Sequence, residues 1–144
     1  LESYGFKLKV QELPNTTRTA AEAAVTIGCS VAQIAKSLVF KGDESGEPIL
    51  VVACGTNRVN EKELSRHVGE NLTLADAAFI KQEIGFAIGG IPPVGHKKRL
   101  RTYLDRDLGT YPEIWAAAGT PFAVFRLTFK DLVRMTGGNT VTLT

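Results

Sequence analysis

Pro48-Ile-Leu-Val-Val-Ala-Cys54 is an unbroken run of seven apolar residues. A strand with one face in water alternates polar and apolar positions, so a run apolar throughout reads as a central strand covered on both faces. Covering both faces of a sheet calls for helices packed against it, which is an α/β arrangement. Immediately upstream, Gly42-Asp-Glu-Ser-Gly46 is a polar hairpin turn. The stretch before the turn, Lys36-Ser-Leu-Val-Phe-Lys41, alternates as a strand does. Lys36, Leu38 and Phe40 share one of its faces, and Ser37, Val39 and Lys41 the other.

Further upstream, Gly5 to Leu13 alternates apolar and polar residues as a half-buried strand, ended by Pro14-Asn-Thr-Thr17. Thr19-Ala-Ala-Glu22 is a capping box that opens an Ala-rich helix stopping at Gly28. Ser30-Val-Ala-Gln33 repeats the box and predicts a short second helix reaching Ile34-Ala35. Downstream, Asn60-Glu-Lys-Glu63 caps a helix that runs to His67 and stops at Gly69, with His67 on its surface. Leu72-Thr-Leu74 is too short to assign, and Ala75–Glu83 reads as a helix ended by Gly85. Leu100–Asp105 alternates as a strand, Asp107–Pro112 turns the chain, and Ile114–Ala118 follows. Phe122–Leu127 is a further strand, Thr128–Met135 a last helix ended by Gly137-Gly138, and Thr140–Leu143 an edge strand. The count is about seven strands and four or five helices, without linker or repeat. Because they do not alternate regularly, the expectation is one compact domain over residues 1–144. It is α/β of the α+β kind, with a mixed, mostly antiparallel sheet and flanking helices.

One stretch resists both helix and central strand. Gly85-Phe-Ala-Ile-Gly-Gly-Ile-Pro-Pro-Val-Gly-His-Lys-Lys98 holds four glycines and two prolines in fourteen positions. Gly89-Gly90 lets bare backbone approach a partner, Pro92-Pro93 stiffens the exit, and His96, Lys97, Lys98, Arg99 and Arg101 follow. A rigid loop rich in N–H groups beside a basic run suits an oxyanion, a phosphate or a held water. The same pattern also describes a tight bend with a solvated basic edge.

Composition narrows the chemistry. With 144 residues, 44% hydrophobic and 22% charged, the chain can bury a core without staples. A net charge of +2 leaves an RNA partner to be met by a local patch. Cys29 and Cys54 carry no CxxC spacing and read as part-buried thiols in a reducing cytoplasm, arguing against zinc and disulfides. No apolar run reaches the ~20 residues of a membrane span, and no signal-peptide pattern precedes the first strand.

Thr17-Arg-Thr-Ala-Ala-Glu-Ala-Ala24, Ile34-Ala-Lys-Ser-Leu-Val39 and the Gly85–Lys98 loop together resemble the YbaK/ProX family, free-standing relatives of the editing domain inserted in bacterial prolyl-tRNA synthetases. The resemblance covers almost the whole chain in order. It implies a curved mixed sheet with flanking helices, and hydrolysis of the ester joining a wrong amino acid to tRNA, with no metal or organic cofactor. Lys36 matches the family's required lysine, and Gly89 to Pro93 its Gly-x-x-x-Pro loop, so Lys36, Gly89 and Gly90 are the implied catalytic set. Ile91, Pro92, Pro93, His96, Ala117 and Thr19 are the implied substrate contacts, and Lys97, Lys98, Arg99 and Arg101 the implied tRNA contacts. Cysteine-specific members carry a serine and an aspartate where this chain aligns Ala117 and Val124, which points toward small neutral amino acids such as alanine or serine, including those on tRNA(Pro). The implied partners are the aminoacyl-tRNA acceptor end and an aminoacyl-tRNA synthetase. No Ser-His-Asp or Cys-His arrangement stands out, and His96 is the one tempting protein base. Two alternatives remain: a tRNA- or nucleotide-binding module without turnover, and a small hydrolase using Cys54 or Cys29.

Overall fold

Leu50, Val51, Val52 and Ala53 are each 0% exposed, so the Pro48–Cys54 strand is buried on both faces. The computed structural model describes residues 10–12, 20–85, 91, 100–117 and 123–143. In chain order the described elements are β1 (Val10–Glu12), α1 (Ala20–Ile27), a 3-10 turn (Val31–Gln33), β2 (Ile34–Gly42), β3 (Pro48–Cys54), α2 (Glu61–Val68), β4 (Leu72–Leu74) and α3 (Ala77–Ile84). There follow β5 (Arg101–Asp105), a second 3-10 turn (Arg106–Thr110), β6 (Ile114–Ala117), β7 (Ala123–Leu127), α4 (Phe129–Thr136) and β8 (Asn139–Val141).

All eight described strands join one sheet in the order β1-β7-β6-β2-β3-β5-β8, with β4 on β2 off this path. β1–β7, β2–β3, β2–β4 and β6–β7 pair antiparallel, whereas β2–β6, β3–β5 and β5–β8 pair parallel. The sheet is therefore mixed with an antiparallel majority, as the irregular element order predicts. β2 pairs with β3 along most of its length, but its other edge is divided. The ladder to β6 ends at Ala35 and the ladder to β4 begins at Phe40. Between them lie residues 36–39, which have no ladder partner on that edge among the described residues.

The two faces carry separate cores. Val39, Leu50, Val52, Leu104, Ala116 and Phe125 point to the face covered by Ile80 and Ile84 of α3 and Leu132 and Met135 of α4. Phe40, Ile49, Val51, Ala53 and Tyr103 point to the other, against Leu64 and Val68 of α2 and Leu143. On that second face, Ala23 and Ala24 of α1 pack on Ile34, with Trp115 beside them.

Helix ends follow the local chemistry. Asn60 accepts from Lys62 N and Glu63 N at the start of α2, and Asp76 and Thr128 do the same work for α3 and α4. Gly85 closes α3 at φ 89, a left-handed conformation that glycine adopts without strain.

One local expectation needs correction, and two others gain detail. Gln33 reaches back to Ser30 N at 3.1 Å, as a box should, yet the helix lasts only Val31–Gln33 and the strand starts at Ile34. Pairing of Ile34 and Ala35 with Trp115 and Ala116 buries both residues and overrides the local helix signal. Arg106–Thr110 is a 3-10 turn because Leu108 anchors it, fully buried. Leu72–Leu74, unassignable from so few residues, is a strand against Phe40–Gly42. Of the predicted Gly5–Leu13 strand only Val10–Glu12 falls within the described residues.

Phe125 is 0% exposed in the first core, so Phe125→Ala should cost about 3–5 kcal/mol of stability. Urea unfolding would register this as a lower midpoint at an unchanged m-value.

Candidate active site

Lys36 is the third residue of β2, half-buried, and its register partner on β3 is Ala53. Side chains opposite one another share a face, so Lys36 stands on the second face, next to the smallest side chain of β3. The row continues across the sheet. Ala117 opposes Val124 in the β6–β7 pair, and extending the β2–β6 register by one residue sets Ala117 beside Lys36. Extending the β3–β5 register from Val52 and Leu104 sets Asp105 on the far side of Ala53. On these extensions Val124, Ala117, Lys36, Ala53 and Asp105 fall in one row across five neighbouring strands.

The turn after β3 folds over this row. Asn57 N donates to Cys54 O at 2.9 Å, closing a tight turn. The Asn57 amide nitrogen, Nδ2, donates to Asp105 Oδ2 at 2.9 Å and to Asp107 Oδ2 at 2.6 Å. Lys36 Nζ in turn donates to the main-chain oxygen of Asn57 at 2.6 Å. Asn57 therefore bridges Lys36 and Asp105, through its carbonyl on one side and its amide on the other. Asp105 is only 1% exposed, a costly place for a carboxylate without hydrogen bonds. It has three: Oδ2 accepts from Cys54 N and Asn57 Nδ2, and Oδ1 from Asp107 N at 3.0 Å.

Of the residues singled out in the sequence, Lys36 and Ala117 each follow the last pair of the β2–β6 ladder, and Val124 pairs with Ala117. Ile91 is 3% exposed and packs in the first core, so its side chain anchors the chain rather than facing Lys36. Arg101 opens β5 opposite Ile49, four positions along β3 from Ala53, or roughly 13 Å at strand spacing. Its guanidinium lies over the Tyr103 ring at 5.6 Å, and the structure does not bring it to Lys36. Thr19, Gly89, Gly90, Pro92, Pro93, His96, Lys97, Lys98 and Arg99 lie outside the described residues. Asn57 and Asp105 were not singled out by sequence. The signal available was one acid closing an otherwise apolar strand and an asparagine in a turn, both common.

The thiols offer little as nucleophiles. Cys54 is 2% exposed, and its Sγ donates to Ala32 O at 3.0 Å. Burial pushes the Cys29 thiol up, against a smaller opposing effect of its own backbone hydrogen bond, which disfavours the reactive thiolate. Among the described residues no cluster of three or more His, Cys, Asp or Glu side chains could hold a metal ion, and no helix is long and apolar enough to cross a membrane.

The model of the aminoacyl-tRNA editing domain matches residues 14–135. The chain belongs to that family. The structure superposes on the crystal structure of a candidate trans-editing enzyme for prolyl tRNA synthetase with a TM-score of 0.94, at 50% identity, covering 100% of this chain and 91% of that one. Among curated proteins, the uncharacterized YwhH of Bacillus subtilis is 32% identical over 123 residues, 85% of this chain and 78% of its own length. EbsC of Enterococcus faecalis, a candidate Cys-tRNA(Pro)/Cys-tRNA(Cys) deacylase, is 28% identical over 130 residues, 88% of this chain and 77% of its own. The editing-family fold expected from the Lys36 and Gly85–Lys98 motifs is the fold observed.

Because Ala53 is fully buried in the second core, Ala53→Leu should overpack it and cost about 1–3 kcal/mol. Thermal unfolding would measure the loss, and Ala53→Gly should show no comparable overpacking.

Proposed function

We propose that the protein is a trans-editing aminoacyl-tRNA deacylase that removes small neutral amino acids, such as alanine or serine, from mischarged tRNA, including tRNA(Pro). What supports this reading is the match of residues 14–135 to the editing family, together with Lys36 standing one residue past the β2–β6 ladder and tied to Asn57 O. An aminoacyl ester is activated, so positioning the substrate and a water and stabilising the oxyanion can supply the needed rate. In this scheme the backbone N–H groups of Gly89 and Gly90 face the ester carbonyl. Lys36 grips the terminal adenosine's phosphate and aims the ester at them, without itself exchanging a proton. The bond broken is the one between the carbonyl carbon and the ribose oxygen; water supplies the hydroxyl and the ribose leaves as its alcohol.

The specificity reading departs from the cysteine named for EbsC. Half-buried Ala117 and buried Val124 offer no polar partner to a thiol or a carboxylate, so the pocket would sort by size. One methylene in an apolar pocket is worth about 1–3 kcal/mol, so discrimination among small residues should be modest. A panel of alanyl-, seryl- and cysteinyl-tRNA(Pro) tests both levels. Turnover of the first two without strong preference for the third is expected. A strong preference for cysteinyl-tRNA would overturn the specificity, and binding of all three without turnover would make the protein a tRNA-binding module.

Lys36→Ala should fold normally, keep its melting temperature within a few degrees, and lose most deacylation. Lys36→Arg should recover little, because a planar guanidinium does not occupy the place of an ammonium. A folded Lys36→Ala protein with undiminished turnover would remove Lys36 from the mechanism.

A further inference from the structure

Lys36 is fixed by a main-chain carbonyl, and that carbonyl is itself fixed from two strands away. Its bond to Asn57 O uses one of three ammonium hydrogens and leaves the charge unneutralised. Asn57 is held at three points: its N–H by Cys54 O, and its amide by Asp105 and Asp107. Asp105 is held in place as well, because it also accepts from Cys54 N at the end of β3 and from Asp107 N in the 3-10 turn after β5. A turn needing only to connect β3 to α2 would not require a buried carboxylate, which must be desolvated to sit there.

We infer that Asn57 and Asp105 are positioning residues: through the Asn57 carbonyl they set where the Lys36 ammonium stands, while keeping a carboxylate off it. The inference rests on the proposed role of Lys36 only for its effect on activity. The geometric part is independent of any substrate. Removing the Asn57 side chain releases the turn from Asp105 and Asp107, so the carbonyl no longer holds one direction and Lys36 samples several. A displacement of about 1 Å in an aiming group can cost on the order of 100-fold in rate.

The test is a double-mutant cycle on single-turnover deacylation, with a second readout that needs no activity. Asn57→Ala should lower the rate about 10- to 100-fold when Lys36 is present and less than about twofold in the Lys36→Ala background. Equal losses in both backgrounds, or no loss in the first, would overturn the inference, because a purely structural defect subtracts from both. Independently, reductive methylation followed by mass spectrometry should find Lys36 in the wild-type protein modified more slowly than the exposed Lys62, and in Asn57→Ala at a comparable rate. An unchanged Lys36 rate would overturn the positioning role even if Lys36 proved irrelevant to deacylation. Asp107 is exposed, so Asp107→Ala removes one amide contact without touching the core, and should shift both readouts in the same direction by less. Failure of Lys36→Ala to lose activity would instead count against the proposed function and leave the methylation result standing.

Discussion

Burial of β3 on both faces is the constraint from which the rest of the arrangement follows. At about 25 cal/mol per Å² of apolar surface, side chains such as Leu50 and Val51 are stabilising only if both sides of the sheet are covered. Helices α3 and α4 cover one side, and α2 and the C-terminal Leu143 the other. With both faces closed, chemistry is left to the ends of the strands. The carboxyl ends of β3 and β5 lie side by side because these strands run parallel, which sets Cys54 next to Asp105. β2 runs antiparallel to β3, so its first residues return to that same end and bring Lys36 with them. The lysine's location is a consequence of one antiparallel and one parallel pairing.

Signals that act within a few residues were legible in the sequence. The unbroken run at Pro48–Cys54 announced the central strand. Asn60 with Gly69, and Gly85 and Gly137 after their helices, marked ends that the backbone conformation bears out. What depends on register across strands was not legible. Ile34-Ala35 looked helical after the capping box, and pairing with Trp115 and Ala116, and of Ala35 with Cys54, makes them strand. Arg101 followed the basic run directly, yet β5 carries it away from Lys36 toward Ile49. Lys36 itself was distinguishable from any strand lysine only by family resemblance. Its tie to Asp105 through Asn57 joins residues 21 and 48 apart in sequence, a separation at which composition and periodicity carry no information.

The chemistry of the row explains why the lysine is held by a carbonyl. Lys36 stands opposite the short side chain of Ala53, so its stem can pack while its head stays polar. A half-buried ammonium needs a partner, and a hydrogen bond to a charged group contributes about 1.5–3 kcal/mol. Had that partner been Asp105 directly, the two charges would neutralise each other, and a substrate phosphate would have to displace a resident carboxylate before binding. Ala53 separates them by a strand, and Asn57 links them by hydrogen bonds to each. The carboxylate is then satisfied by N–H donors, the ammonium by a dipole, and the positive charge stays available to an incoming anion. An ammonium held this way can meet an anion without first giving up an ion pair, as the role proposed for Lys36 requires.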